Sequence, residues 1–102
     1  MNSFKDAASE IENFIDLILE YKSRGFHCVL ITLSSTENYG ITLDGFSKES
    51  IKSKGTFFST DKMWNVYPKD TSEYTEIKIC PEIMINIFSI ASIVPYRSEF
   101  IN

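Results

Sequence analysis

Residues 76–96 constrain the fold more than any other stretch of this chain. Ile77, Ile79, Ile83, Ile85, Ile87, Phe88, Ile90, Ile93 and Val94 fall within it, against Glu76, Lys78 and Glu82 as its charges. A segment so apolar has to be covered on both faces, so the remaining elements must fold over it. Ile77 and Ile79 alternate with Glu76 and Lys78, which predicts a half-exposed strand over 73–80. Pro81 lacks a backbone donor and fixes its own φ, which suits the start of a helical turn over 81–86. The β-branched run 87–94 predicts a final strand that stops at Pro95. The alternative is one helix from Pro81, because Ile83, Ile87, Ile90 and Val94 also fit helical spacing. Crowding of β-branched side chains against the preceding turn disfavours it.

Ahead of that stretch, residues 3–24 read as an amphipathic helix. Phe4, Ala8, Ile11, Ile15 and Ile18 make one apolar stripe, widened by Phe14, Leu17 and Tyr21. Ser3 is placed to cap the start, with Asp6 favourable to the dipole there, and Lys22 and Arg24 favourable in the last turn. Gly25 supplies a left-handed stop on which Phe26 can fold back. The polar side carries Glu12, Asp16 and Glu20 four residues apart, so three like charges form a ridge that costs the isolated helix roughly 0.2–0.5 kcal/mol per pair. Such a ridge reads either as a solvated face or as a docking surface for a basic partner.

Strands are expected over 27–34, apolar on both sides and therefore central, and over 39–43, where Gly40 suggests a bend or bulge. Asp44-Gly45 signals a turn. Residues 46–54, with Lys48, Lys52 and Lys54, read as an exposed loop or helical turn with Ile51 tucked in. A short strand follows over 55–60, then an aromatic-rich loop over 61–72. In that loop Trp64 and Tyr67 are residue types favoured at interface hot spots, or else plugs for one end of the core. Residues 97–102 read as a loose tail, with Phe100 and Ile101 able to clip onto a groove.

One helix and five short strands without helical crossovers predict a single α+β domain over 1–102. It comprises a helix (1–25), a β-rich part (26–96) and the tail. The helix packs on a five-stranded, mostly antiparallel sheet, either open or curled into a small SH3/Sm-like open barrel. In layout the order helix, strands, turn, final strand resembles an Sm-like chain, with Leu43-Asp44-Gly45-Phe46 where such a barrel would bend its second strand. The resemblance is confined to layout, and no binding residues follow from it.

The chemistry-bearing residues are sparse. His27 is the one histidine, and no second one completes a zinc spacing with Cys28 or Cys80. Neighbouring strand residues such as His27 and Cys28 point to opposite faces, so they cannot form a nucleophile–base pair. Both thiols are expected to be buried and reduced; a Cys28–Cys80 bridge would require neighbouring strands. The glycines are isolated, leaving no phosphate loop. Carboxylate pairs such as Glu73 with Glu76, or Asp44 with Glu49, sit in exposed polar stretches with nothing to shift their pKa. An enzyme is therefore not expected, and neither is a metal or cofactor.

The formal charge of −4 disfavours nucleic acid and anionic membrane and is compatible with a basic protein. The opening residues lack the layout of a signal peptide, so a cytoplasmic location is expected. Small, acidic, motif-poor α+β chains resemble immunity proteins and antitoxins of bacteria or phage, which neutralise basic nuclease toxins. On that reading Glu12, Asp16 and Glu20, with Trp64 and Tyr67, form the partner-binding surface. The alternatives are an Sm-like or SH3-like oligomeric barrel that binds nucleic acid, and a structural subunit of a larger assembly.

Overall fold

Helix α1 (Ser3–Ser23) buries Ala7, Ile11, Phe14, Ile15 and Ile18, residues three or four apart that fall on one face. Ala7, not Ala8, is the small residue of that face, and Ala8 is exposed. A side chain at position 7 lies nearer the direction shared by Ile11, Phe14 and Ile18. The helix stops as the glycine implies. Gly25 has φ +92°, its N–H donates to the Lys22 carbonyl at 3.0 Å, and the Phe26 N–H donates to the Tyr21 carbonyl at 3.2 Å. These two bonds define a Schellman end, completed by the edge-on contact of the Tyr21 and Phe26 rings at 5.8 Å. Lys22, in the last turn, donates from Nζ to the Phe46 carbonyl at 2.8 Å and ties the helix to the loop beneath it.

A computed structural model of the chain describes residues 3–68, 74–77 and 84–97, with side chains for 6–66 and 84–97. Among the described residues eight strands follow α1: β1 (Cys28–Leu33), β2 (Asn38–Thr42), β3 (Ile51–Lys54), β4 (Phe57–Thr60), β5 (Met63–Pro68), β6 (Tyr74–Ile77), β7 (Ile85–Asn86) and β8 (Ile90–Pro95). They form a five-stranded sheet in the order β6-β5-β2-β1-β8 and a three-stranded sheet in the order β3-β4-β7. Every pairing is antiparallel. The fold is α+β, with one helix packed on antiparallel sheets that do not close into a barrel among the described residues.

Three expectations about elements change. Residues 61–72 are not a dozen-residue loop, since Met63–Pro68 pairs with β2 on one side and β6 on the other. Asn65 and the polar residues flanking this stretch hide its strand character, but cross-strand pairing outweighs local composition. Residues 46–54 hold a 3₁₀ turn (Lys48–Ser50) and then β3, which forms a hairpin with β4 around Gly55 at φ +62°. The final strand begins later than position 87, because Asn86 caps a 3₁₀ turn (Ile87–Ser89) by accepting the Phe88 N–H at 3.0 Å. A continuous helix through Val94 is excluded by β7 and β8. Phe4's side chain, Cys80, the Pro81 turn and the tail beyond Arg97 lie outside the described residues.

The two sheets are joined by the connections from β2 to β3 and from β4 to β5. β2 pairs with β5 in the larger sheet; after the Asp44-Gly45 turn, where Gly45 has φ +76°, the chain continues as β3 against β4 in the smaller one. The return passes from β4 to β5 through Asp61-Lys62. Leu43 and Phe46, buried at this corner, join α1, the inner face of the larger sheet, Phe58 and Ile85 in one core. The rings of Phe14 and Phe58, 4.9 Å apart, link helix and second sheet directly. Full burial of a side chain such as Ile18 contributes about 1.5–3 kcal/mol.

Strand β1 lies inside the larger sheet, as its two apolar faces imply. Val29, Ile31 and Leu33 turn towards α1, whereas Cys28 and Leu30 turn away. On that far side they form a second cluster with Trp64 and Val66, against which Tyr96 packs.

Candidate partner-binding surface

The outward face of α1 exposes Glu12, Asp16 and Glu20 in a line, and Glu10 and Asn13 beside them. Among the described residues the three carboxylates of the line make no ion pair. Burial of the opposite side of α1 against both sheets fixes the direction in which this face points.

Two grooves flank α1. One, of about 310 Å³, runs between α1 and β8, with Leu17, Ile90 and Ile93 along its floor and Glu10 and Asn13 on its rim. The other, of about 410 Å³, runs between α1 and β3 and brings Glu12 and Lys48 to the same depression. The first therefore has a carboxylate and no cation among its lining residues; the second has both signs. Beyond the second groove, exposed Glu49 has its carboxyl held below the usual range. The first cause is a hydrogen bond from its own backbone, and the second is the Ser47 hydroxyl at 3.0 Å.

Trp64 does not join the ridge. It is a strand residue, 2% exposed, on the face of the sheet opposite α1. Gly40 is its cross-strand partner, and a Cβ at that position would run into the indole ring. The glycine thus makes room for the ring; its φ is not positive, and no bulge is recorded between β2 and β5. The side chain offers no area to a partner in this conformation, so the expected pairing of ridge and tryptophan is not assembled. Tyr67 lies in β5 opposite Thr75, and its side chain is outside the described ones.

His27 precedes β1, with Nδ1 3.4 Å from Asp44 Oδ1 and both groups largely exposed. Cys28 is buried and donates from Sγ to the Tyr96 carbonyl at 2.6 Å. Among the described residues no group of three His, Cys, Asp or Glu side chains is placed to hold a metal ion. No helix among them is long and apolar enough to cross a membrane. Lys52 and Lys54 are exposed on β3, an edge strand, where charge discourages pairing with another chain.

Sequence reasoning missed Glu10 and the position of β8. The run Ile90–Val94 reads as interior, yet β8 lies at the sheet margin and Val94 is 45% exposed. The small residues Ala91 and Ser92 within the run were the available signal. Compared with known protein families, curated proteins and solved structures, the chain matches none.

Proposed function

We propose that this chain is a small acidic protein-binding module that docks the exposed face of α1 on a basic protein. Its best-fitting role is that of an immunity protein or antitoxin, occluding a nuclease-type toxin in a bacterial cytoplasm. The observation that carries the reading is the line Glu12, Asp16 and Glu20, exposed on a well-packed helix and without an ion pair among the described residues. Carboxylates arranged in this way cost the helix a little stability and give a partner of opposite sign a steered approach. Trp64 supports the sheet beneath this surface and is not its anchor. No catalytic role is proposed.

The test begins with crosslinking and mass spectrometry on the source cells to identify the protein held against α1. Association rates are then measured with the purified pair over a range of ionic strength. The reading expects a partner with a basic contact surface and an association rate that falls steeply with salt. Reversing Glu12, Asp16 and Glu20 together to lysine should slow association by about tenfold or more while the variant stays folded. A partner of neutral or acidic contact surface, or a rate indifferent to the triple reversal, sinks the reading.

A second reading is an Sm-like or SH3-like oligomeric module, although its two sheets do not close into a barrel among the described residues. One observation favours it: β8, the last of the described strands, returns beside β1 directly after a 3₁₀ turn. That module should self-associate through its sheet edges and bind RNA in a salt-dependent way. The net charge of −4 weighs against the RNA half of it.

A further inference from the structure

We propose that the groove between α1 and β8 takes an extended, basic segment of the partner as an added strand on the edge of β8 that no described strand pairs. The inference rests on the basic-partner reading above and specifies how such a partner would be gripped.

The edge is defined by hydrogen-bond alternation. The Tyr96 N–H donates to the Cys28 carbonyl at 3.1 Å, and the β1–β8 register runs Val29↔Pro95, Leu30↔Val94, Ile31↔Ile93 and Thr32↔Ser92. In an antiparallel pair, bonded and non-bonded pairs alternate, so Leu30↔Val94 and Thr32↔Ser92 exchange bonds while Ile31↔Ile93 and Val29↔Pro95 do not. The N–H and C=O of Ile93 and the C=O of Pro95 therefore point away from β1. Among the described residues β8 has no second neighbour to receive them. Pro95 stands where a missing N–H takes nothing from the ladder.

Two features make this edge selective. Its uncharged sequence Ile90–Pro95 lacks the lysines that guard β3. The register shift between Thr32 and Leu33 leaves Ala91 without a partner, and Pro95 ends the donors, so only a short stretch can be extended. That length suits one short segment better than open-ended stacking of sheets.

A strand added about 4.8 Å beyond β8 would run under the flank of α1, with alternate side chains turned to the helix. There they would meet Leu17 and Ile90 on the floor and Glu10 on the rim, with no cation in the lining. The matching segment alternates apolar residues with lysine or arginine. Charge selects against a second copy as occupant. Each chain carries −4, and joining β8 to β8 would bring two acidic α1 flanks together over the seam.

The probe is an eight-residue peptide alternating isoleucine and lysine, titrated into the full chain and followed by NMR and amide exchange. Two controls are the same peptide N-methylated at alternate bonds and a version with glutamate for lysine. The proposal expects shift changes over residues 91–94 and at least about tenfold slower exchange of the Ile93 amide. The effects should be absent with the N-methylated peptide and with the glutamate peptide. Glu10→Lys, an exposed change that leaves the fold intact, should weaken binding about threefold. No binding, or binding that perturbs the Glu12–Asp16–Glu20 face while Ile93 exchange is unchanged, overturns strand addition. In the second of these cases the basic-partner reading survives. An Ile93 amide already protected in the dilute free chain overturns it as well, since the edge is then covered by the chain itself. Protection that grows with protein concentration alone would name a second copy as occupant and equally overturn it.

Discussion

Each face of the five-stranded sheet carries a buried cluster, but the two clusters are built differently. Towards α1, Val29, Ile31, Leu33, Ile41 and Met63 meet a whole helix face, and the apolar area is shared among many side chains from several elements. On the far side the cluster is Cys28, Leu30, Trp64 and Val66, and its largest member is one indole ring lying over one glycine. The first face can lose a methyl group and partly re-pack. The second depends on a single large residue and the gap left for it. A tryptophan in an aromatic-rich stretch expected to be a loop thus serves the core.

Removing the ring is the strongest way to break this comparison. Trp64→Ala should cost about 3–5 kcal/mol in urea unfolding, the upper range for core truncations, because the ring is almost wholly buried and its loss leaves a cavity. A loss below about 1 kcal/mol would show that the far face contributes little. On the helix side, Ile15→Ala or Ile18→Ala should cost about 2–4 kcal/mol each, for lost transfer energy plus a partly collapsed cavity. Gly40→Ala comes next, at about 1–3 kcal/mol, since the added methyl meets the ring and something must shift. Combining Gly40→Ala with Trp64→Ala sharpens the point. The double variant should be destabilised by clearly less than the sum of the two, because the clash vanishes with the ring.

Smaller effects distinguish surface from core. The Cys28 thiol, buried in the far cluster and donating to the Tyr96 carbonyl, should react slowly with a maleimide in the native chain and quickly in urea. Rapid native labelling would place the far face open to solvent. Smallest of all, Asp16→Lys should raise stability by a few tenths of a kcal/mol at low salt, and the gain should fade as salt is added, because it relieves two like-charge contacts. A clear loss would mean that Asp16 holds a structural contact.

Much of the fold was legible in the chain. The helix, its buried isoleucines, its glycine stop and the two-sided burial of β1 all appear in local spacing and local backbone preference. So does the Asp44-Gly45 corner. The third β-segment was only partly legible, because Gly55 reads as strand until the hairpin with β3 makes it a turn. The candidate surface was half legible. The exposed ridge followed from helical period, but the groove beside it needed to be seen. Ala91 and Ser92 are the one hint in residues 87–94 that β8 has a single neighbour among the described strands.

Sequence by itself determined the features that short-range chemistry controls: where α1 runs and stops, which of its faces is apolar, and which face carries the three carboxylates. Only the tertiary structure decided that Met63–Pro68 is a strand, that Trp64 lies over Gly40, and that Ile90–Pro95 stands at a margin. Those outcomes depend on register between strands distant in the chain, and the pairing energy of a strand belongs to its neighbours as much as to its own residues. A periodic pattern can announce that a side chain will be buried. It cannot say against what, because that is fixed only when the whole set of strands has found its order.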